Sequence, residues 1–507
     1  MTDFIAGFNM VANISTVLWC AFGSVLGIIL GALPGLTATM GIALVIPISY
    51  QLPTATGIGV LLSVYCGAVC GASIPAILLG IPGNPNAIAT VTDGQLMTKK
   101  GLAGQALGGA VIASMIGGIG SEILLVFFSP LIAKATLAFG PAEKTTLALV
   151  GLVIIASVSG KDILKGLLMG ALGFVFAFLG TDPVSGACRM PFASVLKHTV
   201  AAGGFDMTST LIGLYGVSQV FSEIDNLRKP QNTNVATNIG KVFPPFKKVC
   251  SMWQIILSSL GIGSVIGAIP GTGASIAVFM AHDSAKRICS ASKGKLDEPG
   301  TGCLEGVFAP EVANNAVTGG ALIPALSLGI PGDSATAVLI GALMINGLTP
   351  GFALFNQHMD MVYSIFITLF IANVFMGVFQ LAGVRIYPKV LLISQKILMP
   401  LVLMLSFIGA YALAGASVAK GVFNVGTALF MGLVGYALKK NKYPLAPVVL
   451  GFILGGMFEE QFRKAVKLGA GTMERFTSSW ICWVFTALAL AIVVSSVVKN
   501  RKEKKNA

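Results

Sequence analysis

Four short stretches of this 507-residue chain place hydrogen-bonding side chains directly after a Pro-Gly pair. Pro34-Gly35 is followed by Thr37, Ala38 and Thr39, and Pro82-Gly83 by Asn84, Asn86 and Thr90. Pro270-Gly271 is followed by Thr272, Gly273 and Ser275, and Pro331-Gly332 by Asp333, Ser334 and Thr336. Proline removes a backbone donor and clashes with the carbonyl one turn back, while glycine admits conformations other residues resist. Each pair therefore predicts a helix end followed by a fresh helix start. Such a start offers unpaired N–H groups and the positive end of the helix dipole. Four of them converging on a cavity would hold an anion on N–H and hydroxyl donors, without a buried arginine. Carbonyls freed before the breaks, with Asp333, Thr336, Asn314 and Asn315, are oxygens that could coordinate Na+ or balance a proton. Ser, Thr, Asn and Asp are also ordinary N-caps, so capping accounts for part of the pattern. For Asp333 the plain cap and the ion-coupling role both stand.

The elements that must position these residues lie in apolar sequence. The chain is 55% hydrophobic and 10% charged, against roughly 25% charged in a soluble domain; its mean hydropathy is +0.86. Apolar runs of spanning length recur at 16–30, 106–128, 163–179, 252–269, 362–384, 397–413 and 479–498. A span takes about 20 mainly apolar residues, so the chain has room for roughly ten to thirteen. The expected fold is an all-α polytopic membrane protein. In lipid, each backbone group freed by a break costs several kcal/mol unless protein or a water-lined cavity satisfies it. Broken helices are thus confined to protected sites, and matching broken segments in two halves of a chain point to a transporter binding site.

The breaks do repeat. "GALPGLTA" at 31–38 recurs as "GAIPGTGA" at 267–274 with five of eight positions identical, at an offset of 236. "IPAILLGIPGNP" at 74–85 recurs as "IPALSLGIPGDS" at 323–334 with eight of twelve identical, at an offset of 249. The same two breaks in the same order mark two related halves, expected to be inverted repeats. The organisation that follows is a first half over 1–226, a polar basic linker at 227–249, and a second repeat core at 250–351. Residues 352–498 form further spans read as scaffold or interface, and 499–507 a basic tail. Asn84 is followed by Pro85 where Asp333 is followed by Ser334, so the two sites should not coordinate equivalently.

Net charge is +13, but Lys and Arg cluster in short inter-helix segments such as Lys99-Lys100, Lys286-Arg287 and Lys439-Lys440-Lys442. That is the positive-inside distribution and argues against nucleic-acid binding. It places the C-terminal tail in the cytoplasm and, with no basic residue before Lys99, leans the N-terminus outward. "MTDFIAGFNM" lacks the basic region of a cleaved signal peptide. The eight cysteines make no CxxC pair, and Cys66 and Cys70 read as small packing residues. Three histidines without H-E-x-x-H argue against a zinc enzyme. Among the remaining polar residues, Glu311 precedes the last break and is functional by default if intramembrane, or else sits at the membrane surface. Glu122 begins a span and faces protein. Asp93-Gly94 and Lys99-Lys100-Gly101 read as a surface turn, and Asp182, Arg189 and Lys197 flank a loop in which Arg189 is a weak substrate-contact candidate.

Moving one charge against 100 mV costs about 2.3 kcal/mol, so a trianion entering an inside-negative cell faces roughly 7 kcal/mol. The chain has no G-x-x-x-x-G-K-[ST] phosphate loop, which leaves cation coupling as the energy source. Rival readings are an anion channel, which would need pore-lining rings of one residue type, and an intramembrane enzyme, which would need a nucleophile with its base; neither set is visible.

The stretches "GALPGLTATMGIALVIP", "CGASIPAILLGIPGNPNAIATVTDGQLMTKKG", "GTDPVSGACRM", "GAIPGTGASIAVFMAHDSAKR" and "GVFAPEVANNAVTGGALIPALSLGIPGDSATAVLIGAL" resemble the TctA family, the large membrane subunit of the tripartite tricarboxylate transporters. They run from about residue 15 to 350 in the family order. The resemblance implies a bacterial inner-membrane permease, not an enzyme, with no cofactor beyond Na+ or H+ as coupling ion. Its implied partners are a small membrane subunit, a periplasmic solute-binding protein and a citrate-like tri- or dicarboxylate substrate, with a homodimer left open. It also suggests an elevator-like movement of the repeats against a scaffold. The binding regions carry over to Pro34–Ala38, Pro82–Asn86, Pro270–Ser275, Asn314-Asn315 and Pro331–Thr336.

Overall fold

The computed structural model describes residues 2–136, 139–158, 163–182, 185–190, 199–226, 239–270, 273–292, 294–393 and 395–506. Among these residues the regular elements are helices, and extended pairing is confined to one bridge, Thr181 with Cys188. Six helices are long and apolar enough to cross a membrane, so the chain is an all-α polytopic membrane protein. Six further apolar helices have only 10–17 residues. Three of these short helices abut the Pro-Gly breaks, which is why apolar runs of spanning length do not all become single long helices.

In the first half, α1 (Ile14–Ala32) ends before Pro34, and Gly35 turns the chain at φ +89°. The chain re-enters as α2 (Ala38–Ser49), whose N-cap Thr37 accepts from the Met40 N–H at 3.3 Å. The central helix α3 (Thr54–Gly71) leads to the second break. There Asn84 caps a 3-10 turn, Pro85–Ala87, which runs into α4 (Ile88–Lys99) and then the long α5 (Ala103–Ala135). A π-helical segment, Ile212–Val217, opens into α6 (Ser218–Asn226). The second half repeats the scheme with α7 (Trp253–Ala268), α8 (Gly273–Ala291), α9 (Leu304–Leu328) and α10 (Ser334–Ile345). Gly329, left-handed at φ +72°, closes α9. Then come α11 (Met359–Ala382), α12 (Val418–Lys440) and α13 (Leu445–Leu468).

The sequence repeat is also a packing repeat. α1 lies along α3 as α7 lies along α9. A Cβ on Gly83 would fall 2.6 Å from the Gly31 carbonyl and 2.9 Å from Ala72 Cα. A Cβ on Gly332 would fall 2.5 Å from the Gly267 carbonyl and 2.6 Å from Ala321 Cα. Gly31 and Gly267 are 236 residues apart, and Ala72 and Ala321 are 249 apart, the two offsets of the repeat. Each half therefore seats its second break against the end of its first-break helix, in a gap that only glycine fits. Both central helices, α3 and α9, are buried along nearly their whole length. Residues on them face protein, not lipid, which is what permits polar side chains there.

Three sequence expectations are corrected. Asp93-Gly94 lies within α4, not in a turn, because Gly94 lets that helix approach Ile77 closely; the turn itself begins only at Lys100-Gly101, where Gly101 has φ +77°. Glu122 is in the middle of α5, not at the start of a span, and is buried against Asn373 of α11, whose Nδ2 lies 3.4 Å from its carboxylate. Glu311 is not at the surface: it is fully buried inside α9. Linker residues 227–238, Lys197, Gly271 and Thr272 lie outside the described residues.

Candidate functional site

All four breaks open onto one cavity of about 540 Å³. The first break contributes Thr37, Ala38 and Thr39, and the second Asn84, Pro85 and Asn86. The third contributes Gly273 to Ile276, and the fourth Pro331, Asp333, Ser334 and Ala335. The halves are stitched crosswise at its wall. Thr39 and Ser334 share a hydroxyl–hydroxyl hydrogen bond of 2.9 Å, and Ser275 donates to Asn86 Oδ1 at 2.8 Å. Thr39 and Ser275 are corresponding positions, 236 residues apart, so the same residue of each half's first break reaches the second break of the other half. The Gly35 N–H donates to the Gly83 carbonyl at 3.3 Å, tying the two first-half breaks together.

Asp333 is a cap and also more than a cap. Its Oδ1 accepts from the Thr336 N–H at 2.7 Å, and its own N–H donates to Thr336 Oγ1 at 3.0 Å, a reciprocal capping box. Its Oδ2 accepts from the Tyr65 hydroxyl at 2.7 Å, across from α3. The two carboxylate oxygens thus have separate partners while the residue still borders the cavity. Thr336 is turned fully inward by this box and does not line the cavity. Pro34, Gly35, Gly83 and Gly332 shape the breaks without lining it. Asn314 and Asn315 are buried in α9, where Asn314 Nδ2 lies 3.5 Å from the Val69 carbonyl and Asn315 Nδ2 donates to Ser114 Oγ at 2.7 Å.

Several lining residues lie outside the motifs. Tyr65 comes from α3, Tyr215 from the π segment and Gln219 from α6. Lys439, Tyr443 and Leu445 come from the end of α12 and the start of α13. Lys439 is the one basic side chain among the described lining residues; its Nζ donates to Gln219 Oε1 at 2.7 Å, and Gln219 Nε2 donates to Glu223 Oε1 at 2.8 Å. Position within a Lys-rich helix end made Lys439 look like an orientation signal. Lys440 and Lys442 beside it are indeed exposed, and only helical phase turns Lys439 inward. Tyr65, a polar-tipped ring in the apolar run of α3, was the one visible hint; a π turn such as the one carrying Tyr215 has no sequence signature, though such turns recur at functional sites.

Arg189 belongs elsewhere. It donates to Glu459 at 2.6 and 3.0 Å and pairs with Asp182 at 2.5 Å. Arg463 also pairs with Asp182, at 3.0 Å, and with Glu459, at 2.8 Å. This network fastens Asp182 and Arg189 to the C-terminal half of α13, and none of its members lines the cavity.

The chain matches the model of the tripartite tricarboxylate transporter TctA family over residues 17–450. It belongs to that family. The match continues about a hundred residues past the Pro-Gly motifs and takes in α12 and Lys439. A relative from Agrobacterium vitis, described as an uncharacterized 52.8 kDa protein in the TAR-I ttuC' 3' region, is 30% identical over 501 residues, 99% of this chain and 97% of that protein. A second, an uncharacterized protein in the TAR-II ttuC' 3' region of the same organism, is 30% identical over 244 residues, 48% of this chain and 97% of that protein. No solved structure matches. Membership in the TctA family makes this chain a membrane component of a transporter that has other subunits.

Proposed function

We propose that this TctA-family chain is the permease of a binding-protein-dependent secondary transporter that takes up a citrate-like tri- or dicarboxylate across the bacterial inner membrane. It works with a small membrane subunit and a periplasmic solute-binding protein, and Na+ or H+ supplies the driving force. The observation that carries the reading is the cavity itself. Four broken-helix starts, hydroxyls and amides from both halves, and the Lys439 ammonium meet in a space sized for a small organic anion. The N–H ends and Lys439 present positive charge to carboxylates. Asp333, the single lining carboxylate among the described residues, is held by Tyr65 and Thr336. Because the wall is built crosswise from the two halves, a relative movement of its elements changes the cavity and its access together.

The test is uptake of radiolabelled citrate and other carboxylates into proteoliposomes holding this chain with its small subunit, an external binding protein and an imposed Na+ or H+ gradient. Gradient-dependent accumulation of at least one carboxylate is expected. No accumulation of any, or downhill flux at ion-channel rates, overturns the reading.

A further inference from the structure

About one turn below the cavity wall lies a second polar cluster. Asn86 lines the cavity; four residues further on, Thr90 donates its hydroxyl to Glu311 Oε1 at 2.5 Å. Ser114 of α5 donates to Glu311 Oε2 at 3.3 Å. The Asn315 amide nitrogen donates to that same Ser114 Oγ at 2.7 Å, so its carboxamide oxygen lies in the same cluster. Thr90, Ser114, Glu311 and Asn315 are all completely buried, and Asn314 is 1% exposed.

Two features of this cluster are unresolved by the protein's own groups. Among the described residues no Lys, Arg or His pairs with Glu311, although a buried ionised carboxylate is costly unless a cation compensates it. The amide oxygens of Asn314 and Asn315, three and four residues on along α9 and hence on the same face as Glu311, are buried and accept no hydrogen bond from the described residues. A proton on Glu311 would relieve the first and leave both amide oxygens orphaned. A small hard cation relieves both, since it takes carboxylate, carbonyl and hydroxyl oxygens together. Thr90 keeps both oxygen lone pairs for it, and Ser114, which already accepts from Asn315, keeps one, while their hydrogens point to the carboxylate.

We infer that Glu311, Asn315, Asn314, Thr90 and Ser114 form a binding site for one dehydrated monovalent cation of the Na+ class, set beneath the anion cavity and joined to it through the Asn86–Thr90 turn. The inference deepens the proposed transport function by giving the coupling ion a place. Cation binding fixes the start of α4 against α9, and α4 continues directly from the break that carries Asn84 and Asn86. Occupancy is thereby linked to the geometry of the cavity wall.

The test needs no carboxylate, so it stands or falls apart from the transport reading. The purified full-length chain in detergent is assayed for retention of 22Na+ at constant ionic strength, with choline replacing Na+. Wild type is expected to bind 22Na+ saturably, displaced by unlabelled Na+ and not by choline. Glu311→Gln and Asn315→Leu each keep the number and branching of side-chain heavy atoms and are expected to weaken binding at least tenfold. Lys464→Ala, at an exposed ion pair on the outer surface, is expected to leave it within twofold. If one cluster variant fails to elute as wild type does, the other decides. Absence of 22Na+ binding by wild type overturns the inference, as does wild-type affinity in the cluster variants, including the case where only pH alters the protein.

Discussion

Lys439 shows how far a single residue's meaning depends on phase. Three lysines at the end of α12 carry the same sequence signal, yet one lines the cavity and donates to Gln219 while two face outward. A hydrogen bond to a charged group contributes about 1.5–3 kcal/mol, and each 1.4 kcal/mol is tenfold in affinity. Lys439→Gln is therefore expected to weaken carboxylate binding roughly ten- to a hundredfold, read as a raised half-saturation in proteoliposome uptake, whereas Lys440→Gln leaves it near wild type. Asp333 acts at the same scale through stability. Removing an N-cap costs about 1 kcal/mol, and stranding the Tyr65 hydroxyl adds about 1–3 kcal/mol. Asp333→Ala should lower the thermal unfolding midpoint of the purified protein, and Asp333→Asn, which can still cap, should lower it less.

At the scale of elements, the breaks matter as joints. Gly332 leaves no room for a Cβ beside the Gly267 carbonyl, so replacing Pro331-Gly332 by Ala-Ala should both extend α9 and force it off α7. The expected outcome is lost transport with unimpaired membrane insertion, checked by uptake alongside membrane-fraction immunoblots; wild-type uptake would refute the role of the break. A second joint lies outside the spans, where α4 anchors the loop that precedes α9. Asp93 is buried, which by itself would raise its pKa, but His282 and the N–H groups of Gly300, Cys303 and Gly302 donate to it and hold it below the ordinary carboxylate value. A carboxylate with a depressed folded pKa stabilises fully above its unfolded value of about 3.9 and loses that contribution as pH falls through the folded one. Protection factors for amide exchange in the 294–303 loop should thus stay high at neutral pH and fall only below about pH 4. Asp93→Asn should abolish that acid step and speed exchange at all pH values.

For the whole molecule, the two-fold scheme explains why a transporter component can afford polar residues at depth. The central helix α3 is shielded by α1, α2 and α11, and α9 by α5, α7 and α8, so Glu311, Asn314 and Tyr65 are in protein rather than lipid. The ends of α12 and α13 close the cavity from outside the repeat, which makes the later helices part of the site as well as its frame. Charge distribution sets orientation at this scale. The basic C-terminal tail should be cytoplasmic, so a C-terminal green fluorescent protein fusion should fluoresce and an alkaline phosphatase fusion at the same point should be inactive; the opposite pair of results would reverse the topology.

The sequence by itself determined the membrane class, the repeat and the four breaks, because backbone preference and hydrophobicity are local: Pro-Gly ends a helix in any surroundings, and apolar length is read by counting. It also located residues that border the cavity at every break, among them Thr37, Ala38, Thr39, Asn84, Asn86, Gly273, Ser275, Asp333 and Ser334. Tertiary structure alone decided how the breaks meet. Hydrogen bonds such as Thr39 to Ser334 join residues 295 positions apart, a distance over which no local rule carries information. The same long-range packing turned Lys439 and Tyr215 into the cavity, drew Arg189 away to Glu459, and withdrew Asn314, Asn315 and Thr336 behind the wall. Which side of a helix faces a partner depends on where the partner sits, and that is set by the packing of glycine-lined helices across the two halves.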